Sequence, residues 1–140
     1  GFNAKEYAAG DYKRMKSNVM NEIKLIFRPE FLNRIDEILV FHPLDKEQMR
    51  KIVSMMCREL ARRAKDQLGI KLEIRDSVKS HIVETGTDKK YGARPLRRAV
   101  QNQLEDKLAE ALLNGEITRD SEVAVGMSKK EIKFIPKTTN

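Results

Sequence analysis

The sequence predicts a helix-rich α+β fold in which helices cover a three-stranded sheet, preceded by one helix and one strand of a larger unit. Apolar residues recur at helical spacing in two long stretches, one after Leu44 and one after Ala93. Three short segments alternate apolar and polar residues, as half-buried strands do. The run Ile38–Phe41 is apolar throughout and has no partner segment nearby, which indicates a fragment cut from a larger fold.

The first part of the chain carries one clear helical pattern. It runs over Tyr12–Phe27, and Pro29 stops or kinks this helix. Pro29 also suits the first turn of a short second helix, which carries Asn33 and Arg34 and leads into the buried strand. The predicted inward-facing residues of the first helix are Tyr12, Met15, Val19, Ile23 and Ile26.

A longer helix follows a hinge at Pro43-Leu44. Asp45 and Gln48 have the spacing of a capping box at its start, and Gly69 ends it. Its predicted inward-facing residues are Met49, Ile52, Val53, Met56, Leu60, Ala64 and Leu68. This stripe contains two methionines and is assigned to a hydrophobic core rather than to a cofactor site.

The remaining elements are a strand, two helices and a hairpin. Ile70–Ile74 alternates as a strand, and Asp76 caps a helix that Gly86 closes. A long helix is predicted over Ala93–Leu113 and ends at Asn114-Gly115; its inward stripe is Leu96, Val100, Leu104, Leu108 and Leu112. The segments Glu122–Val125 and Glu131–Ile135 then predict a hairpin across a four-residue polar turn.

Composition excludes several classes of protein. The hydrophobic fraction is 40% and the charged fraction 35%, which is typical of a folded soluble domain. No apolar run approaches the length of a membrane span, and the first residues lack the pattern of a signal peptide. The single Cys57 is expected to be a small buried thiol, and His81 a surface or packing residue, so no metal site is expected.

The net charge of +7 raises the possibility of nucleic-acid binding. Basic residues are interspersed with acidic ones, however, and no run of five like charges occurs. A surface of this kind fits weak contact with any polyanion, ATP included.

Catalytic motifs are missing from this chain. There is no Gly-x-x-x-x-Gly-Lys-Ser/Thr loop, no serine nucleophile elbow and no His-Glu-x-x-His. Asp36-Glu37 precedes its apolar strand, whereas the metal-binding acidic pair of a nucleotide hydrolase follows one. The chain alone is therefore expected to catalyse nothing.

The segment Tyr91–Arg98 is the best candidate for ligand binding. Gly92 gives a permissive backbone and Pro95 suits a first helical turn, so Arg94 lies at a helix start, where free N–H groups and a guanidinium together favour phosphate. The residues sharing one face of this helix are Arg94, Arg97, Arg98 and Gln101. The alternative is that these arginines form a solvated face or pair with acidic side chains.

Two arginine-bearing stretches, Phe27–His42 and Tyr91–Arg98, occur in this order about sixty residues apart, with Leu104–Gly115 behind them. Together they closely resemble the end of the second ATPase module of bacterial Clp AAA+ unfoldases, of the ClpC and ClpB kind. Glu105-Asp106 and Leu112-Leu113 are more similar to ClpC. The resemblance implies that residues 1–43 are the terminal part of the large AAA+ subdomain, 44–136 the small C-terminal subdomain and 137–140 a frayed tail.

The resemblance also implies roles for two arginines. Arg34 would be an arginine finger that reaches the γ-phosphate of ATP on a neighbouring subunit. Arg94 would be the sensor-two residue that contacts ATP on its own subunit, with Mg²⁺ bound by the missing upstream part. Arg28 is expected to form an ion pair near Pro29. The loop Gly86–Tyr91 departs from relatives, which often carry an aromatic residue and a proline there.

The implied partners are the neighbouring subunits of a hexameric ring, unfolded protein substrates, and a barrel peptidase with adaptor proteins. The implied setting is a cytoplasmic chaperone and protease system of the stress response, with no specific nucleic acid and no membrane. Two alternatives stay open: a basic helical module that binds nucleic acid or acidic proteins, and a purely structural assembly domain.

Overall fold

The structure, a computed structural model, describes residues 9–24, 29–30, 33–34, 45–86 and 96–137. The helices with complete bounds among these residues are α1 (Ala9–Ile23), α2 (Lys46–Leu68), α3 (Asp76–Gly86), α4 (Leu96–Val100) and α5 (Asp106–Leu113), with a π-helical segment, Gln101–Glu105, between the last two. Its strands are β1 (Lys71–Ile74), β2 (Glu122–Ser128) and β3 (Glu131–Pro136). The predicted strand Ile38–Phe41, the hinge at Pro43-Leu44 and the predicted site residue Arg94 lie outside the described residues.

The predicted three-stranded sheet is confirmed, and its strands form one mixed sheet in the order β1-β2-β3. β1 pairs with β2 in parallel, with Leu72 opposite Val123, and β2 pairs with β3 in antiparallel fashion, with Val125 opposite Phe134. The central strand is buried over four successive residues, Val123 to Gly126. Val123 and Val125 belong to the same hydrophobic core as the helices, so one face of the sheet is covered by helices.

The predicted four-residue hairpin turn is wrong. The strands extend to Ser128 and Glu131, so only Lys129 and Lys130 lie between them. Both lysines have positive φ, 52° and 65°, which is the conformation of a two-residue type I′ turn. Asparagine and glycine usually occupy these positions, and the two lysines therefore give no sequence signal for so short a turn.

Helix α2 is the best predicted element. The backbone N–H of Gln48 donates to the Asp45 carboxylate at 2.7 Å, and Gly69 ends the helix in the left-handed conformation at φ 68°. Six of the seven predicted inward residues are buried, and Met49 is half-buried. The helical spacing of apolar residues in the sequence is therefore sufficient to predict which face of this helix is buried.

The predicted long helix is continuous over the described residues 96–113, but one turn of it is π-helical. The N–H of Asp106 donates to the carbonyl of Gln101, five residues earlier. In a regular helix, each leucine that follows another by four residues is rotated about 40° further around the helix axis. A π-helical turn holds one extra residue, and this turns the later leucines back by roughly 100°. Leu96, Leu104 and Leu108 are all fully buried as a result.

Helix α1 begins at Ala9 and ends at Ile23, earlier than predicted at both ends. Val19 and Ile23 are buried as expected, but Met15 is 36% exposed, so its predicted inward position is wrong. Lys16 takes the inward position, with 24% of its side chain exposed. The physical reason is electrostatic, because two carboxylates of α5 receive the lysine ammonium group.

Candidate functional site

Arg34, one of the two predicted site residues, lies in a helical part of the described chain. Both Asn33 and Arg34 have helical backbone and exposed side chains. No ion pair joins Arg34 to another of the residues that the structure describes. A guanidinium in this position can contact an anion outside this segment.

The start of the second arginine-bearing stretch is described only from residue 96 onward. Leu96 is fully buried, whereas Arg97 and Arg98 are exposed, so the predicted division into an apolar and an arginine-bearing face is confirmed for these residues. Gln101, predicted on the arginine face, is half-buried. Arg94 precedes Leu96 by two positions in the sequence.

Contact with the end of α3 fixes the start of α4. A Cβ atom placed on Gly86 would lie 2.7 Å from the Ala99 Cβ and 3.1 Å from the Leu96 Cδ2. Both distances are shorter than an ordinary carbon–carbon contact, so only glycine allows this close approach. Gly86 is thus required for packing, which extends its predicted role as the residue that ends the helix.

An ion-pair clamp joins α1 to α5. The Lys16 Nζ lies 2.8 Å from the Asp106 Oδ1 and 2.9 Å from the Glu110 Oε1. The hydrogen bond from Lys16 holds the pKa of Glu110 below its ordinary value, against the opposing effect of burial. Burial alone would lower the pKa of Lys16, but its hydrogen bonds to Asp106 and Glu110 outweigh burial and raise it.

Two arginines hold the other end of α1. The Arg63 Nη2 donates to the Glu22 carbonyl at 2.8 Å, in the last turn of the helix, where cations are favourable. The Arg119 Nη1 lies 3.3 Å from the Glu22 Oε2. The Arg63 Nε is buried without a hydrogen-bond partner, so part of the stabilisation is offset by desolvation.

Sequence reasoning did not identify Lys16, Arg63 or Arg119 as important. The available signal was the spacing of Asp106 and Glu110, two acidic residues four apart on one helix face. That signal was weak, because Lys107 lies between them and its Nζ is 3.6 Å from the Glu110 Oε2. Neither the partner helix nor the identity of the cation could be read from that spacing.

A surface groove of about 610 Å³ lies between α5, α3 and β3. His81, Lys107 and Phe134 are among its lining residues, and the charges around it have both signs. The groove does not include Arg97 or Arg98. It therefore gives no support to an anion site of its own.

Metal and thiol chemistry find no support in the described part of the chain. No group of three His, Cys, Asp or Glu residues there could hold a metal ion. Cys57 is 2% exposed, so the predicted buried thiol is confirmed, and burial raises the pKa of this thiol to about 11. No helix among the described residues is long and apolar enough to cross a membrane.

Helices packed on a three-stranded mixed sheet, with an arginine-bearing helix after α3, define the small C-terminal subdomain of an AAA+ ATPase. The family described as the C-terminal, D2-small domain of ClpB protein matches residues 44–125. The chain belongs to this family of Clp-type ATPase domains.

Similar proteins extend the match beyond that domain. The chain is 45% identical over 139 residues to the negative regulator of genetic competence ClpC/MecB of Bacillus subtilis, covering 99% of the chain and 17% of that protein. It is 49% identical over 120 residues to the chaperone protein ClpB of Oceanobacillus iheyensis, covering 86% of the chain and 15% of that protein. A Staphylococcus epidermidis protein, the ATP-dependent Clp protease ATP-binding subunit ClpC, is 44% identical over 124 residues, 89% of the chain and 15% of that protein. The chain thus spans less than a fifth of the length of these relatives.

Proposed function

We propose that this chain is the C-terminal segment of a Clp-type ATP-dependent protein unfoldase and supplies two arginines to ATP hydrolysis. Arg34 is the arginine finger for ATP on a neighbouring subunit, and Arg94 is the sensor-two contact to ATP on its own subunit. Residues 1–43 complete the large subdomain and 44–136 form the small one. The upstream part of the protein binds the nucleotide and Mg²⁺.

The observation that carries this proposal is the similarity to a ClpC protein over 139 residues, a stretch that includes both arginine motifs. The exposure of Arg34 is compatible with a role outside its own segment. As a finger, Arg34 acts in a hexameric ring in the cytoplasm, where unfolded polypeptide is the substrate and a barrel peptidase and adaptors are the partners.

The physical basis of the proposed roles is charge stabilisation. Phosphoryl transfer spreads negative charge over the equatorial oxygens of the transferred group, and an arginine finger contributes roughly 10³ to 10⁵ in rate. At about 1.4 kcal/mol per factor of ten, this corresponds to roughly 4–7 kcal/mol of transition-state stabilisation from one side chain. A finger supplied from a neighbour makes hydrolysis depend on ring assembly, and ATP and the interface then favour each other.

The test replaces Arg34 in a full-length ATPase that contains this segment. Arg34→Ala should reduce ATP turnover by at least about 10³-fold, while nucleotide binding and assembly stay unchanged. Arg34→Lys should recover little, because lysine keeps the charge but loses the planar fork of donors. The matched control is Arg50→Ala, which removes an exposed arginine at the start of α2 and should leave turnover at the parental rate.

A basic nucleic-acid module makes a different prediction, namely tight binding to duplex DNA or RNA with a steep salt dependence. Basic side chains of the described chain are often paired with acidic ones, as Arg62 is with Glu59 and Asp66. The proposed ATPase role predicts only weak retention on DNA, and tight binding to duplex DNA or RNA that falls steeply with salt would overturn it in favour of the nucleic-acid module.

A further inference from the structure

Strand β3 forms one edge of the sheet, since the strand order is β1-β2-β3. The Lys137 N–H donates to the Glu122 carbonyl at 2.9 Å, so this residue directs its backbone toward β2. Bonding residues alternate along an antiparallel strand, and the odd-numbered residues of β3 therefore bond to β2. Ile132 and Phe134 direct their N–H and C=O groups the other way, out of the sheet.

The outward backbone groups of Ile132 and Phe134 have no hydrogen-bond partner in the described part of the chain. Such an edge pairs readily with a further strand unless another element covers it. Here the groove of about 610 Å³ separates the edge from α5, and five successive residues, 130–134, line it. Successive strand residues point to opposite faces, so a groove lined by all five runs along the strand edge.

The groove has room for a short strand. Neighbouring strands lie about 4.8 Å apart, sheet layers are about 10 Å thick and each residue rises about 3.4 Å, so one strand residue fills roughly 160 Å³. About four residues therefore fill the groove, which matches the length of β3 that lines it. The opposite edge of the sheet offers less space, a pocket of about 150 Å³ beside Leu72 and Ile74 of β1.

The side chains of β3 define what an added strand must carry. Ile132 and Phe134 are half-buried against the hydrophobic core, and Ala111 of α5 lines the same groove. Apolar side chains fit the positions beside them. Lys133 is exposed on the other face of the sheet, so the position beside it favours a carboxylate. In the free chain its Nζ lies 3.2 Å from the Glu131 Oε2, and the added carboxylate would share this ammonium group.

Acidic residues on the opposite wall restrict where the added strand carries its charges. Glu110 and Glu116 line the groove on the helix side, and Glu110 is already held by Lys16 and Lys107. Carboxylates that pointed into the groove would meet these two residues, whereas carboxylates on the other face meet Lys133. The fitting strand is therefore apolar toward the helices and acidic toward the open face of the sheet.

Charge favours a foreign segment over a second copy of this chain. Residues 129–137, the turn and β3 with the next residue, contain four lysines and one glutamate, a net charge of +3. Two copies paired edge to edge would bring these charges together, and like charges opposite each other destabilise strand pairing. An acidic strand turns the same charges into attraction.

We propose that the free edge of β3 binds an extended acidic segment of another polypeptide, which is added as a fourth strand of the sheet. Backbone hydrogen bonds to Ile132 and Phe134 supply affinity, and alternating apolar and acidic side chains supply specificity. This binding surface goes beyond the proposed arginine roles and does not depend on them.

The test uses the 140-residue chain and, as probe, the capped peptide Thr-Val-Glu-Val-Glu-Val-Thr. Amide hydrogen exchange followed by NMR reports on each residue of β3. At a peptide concentration about ten times its Kd, exchange at Ile132 and Phe134 should slow about 10-fold, because the peptide bonds to these amides. Lys133 and Ile135, already bonded to β2, should change less. A peptide that does not bind, or that binds without slowing Ile132 and Phe134, would overturn the proposal.

A peptide of reversed charge and two variants test the specificity. Thr-Val-Lys-Val-Lys-Val-Thr keeps the strand-forming pattern and should bind more weakly than the acidic peptide. Lys133→Glu should weaken binding of the acidic peptide by roughly 1.5- to 5-fold, the range for one cross-strand pair, and strengthen binding of the basic one. The matched control is Lys71→Glu, an exposed lysine on the opposite edge strand, which should leave both affinities at the parental value. Equal effects of the two variants would overturn the assignment to β3.

A pair of proline variants tests the backbone contacts. Ile132→Pro removes an outward N–H and keeps every bond to β2, so it should weaken the acidic peptide roughly 2- to 12-fold, the range for one hydrogen bond. Leu72→Pro is the control, because Lys71 and Arg75 donate to β2 and its neighbouring residue, which directs the Leu72 N–H away from the sheet. It should bind as the parent does. Equal losses in the two variants would overturn the pairing; if Ile132→Pro does not fold, Lys133→Glu against Lys71→Glu decides.

The free chain provides a further control on the choice of partner. Without peptide, Ile132 and Phe134 should exchange faster than Lys133 and Ile135 at every chain concentration, as expected of an unpaired edge. Protection of Ile132 and Phe134 that appears as the chain concentration rises would show pairing with a second copy and overturn the acidic partner.

Discussion

The contact between the end of α3 and the start of α4 gives a stability prediction with a defined sign. Gly86→Ala adds a methyl group 2.7 Å from the Ala99 Cβ and 3.1 Å from the Leu96 Cδ2. Overpacking of this kind costs about 1–3 kcal/mol, whereas glycine-to-alanine replacement in an unstrained helix contributes about 0.4–1 kcal/mol of stability. The expected net result is a loss of about 1–2 kcal/mol in the free energy of unfolding.

Gly10→Ala is the matched control, because Gly10 also lies in a helix and no described residue lies within 4 Å of an added Cβ. It should stabilise the chain. Urea unfolding followed by far-UV circular dichroism measures both variants, since the chain has no tryptophan to report by fluorescence. A double-mutant cycle adds the single variant Ala99→Gly and the double variant Gly86→Ala with Ala99→Gly. The double variant moves the methyl group from residue 99 to residue 86, across the contact.

The double variant should be less destabilised than the sum of the two single variants, because the exchange relieves the overlap. Additive free energies of unfolding, or a stability gain in Gly86→Ala equal to that in Gly10→Ala, would refute the close-packing argument. In that case the position of the α4 start would have to be set by other contacts.

Three further predictions concern acid stability, the hairpin turn and the thiol. Because the pKa of Glu110 is lowered in the folded state, its contribution to stability is present at neutral pH and is lost as pH falls below about 5. In urea titrations at pH 3 to 7, Glu110→Gln should therefore lose less stability than the parent as pH falls. An unchanged pH dependence of the free energy of unfolding would contradict the clamp. Lys130→Gly should raise the free energy of unfolding by about 1 kcal/mol, since φ is 65° there, and a loss of stability would argue against the I′ turn. The Cys57 thiol, whose pKa is raised to about 11 by burial, should react with Ellman's reagent at pH 8 only after urea is added; rapid reaction in the folded chain would contradict its burial.

Much of the fold could be predicted from sequence periodicity. The bounds and the buried face of α2 were predicted almost completely from Asp45, Gly69 and the apolar stripe between them. Capping residues and side-chain pattern agree along that helix. The three alternating segments gave the strands of the sheet. These features depend on interactions between residues close in the chain, so the order of residues is enough to predict them.

Features set by long-range contacts could not be predicted. The inward position of Lys16 depends on two carboxylates ninety or more positions away, and apolar periodicity assigned that place to Met15. The two-lysine turn carries no glycine or asparagine, and the π-helical turn is set by how the leucine stripe packs on its neighbours. The predicted helix start at Pro95 indicated Arg94 as a candidate ligand contact, whereas Arg34 came only from resemblance to a family, since a lone arginine has no pattern of its own. Both roles stay predictions.

A subunit-mixing experiment tests the central claim most directly. Full-length subunits carrying Arg34→Ala are mixed with subunits whose phosphate-binding loop is inactivated, and ATP turnover of the mixed rings is measured against each variant alone. If Arg34 acts on the neighbouring subunit, intact fingers of the loop-inactivated subunits face intact nucleotide sites of the others, so the mixture should hydrolyse ATP well above the sum of the two inactive preparations. Turnover that stays at that sum in rings shown to be mixed would contradict the assignment.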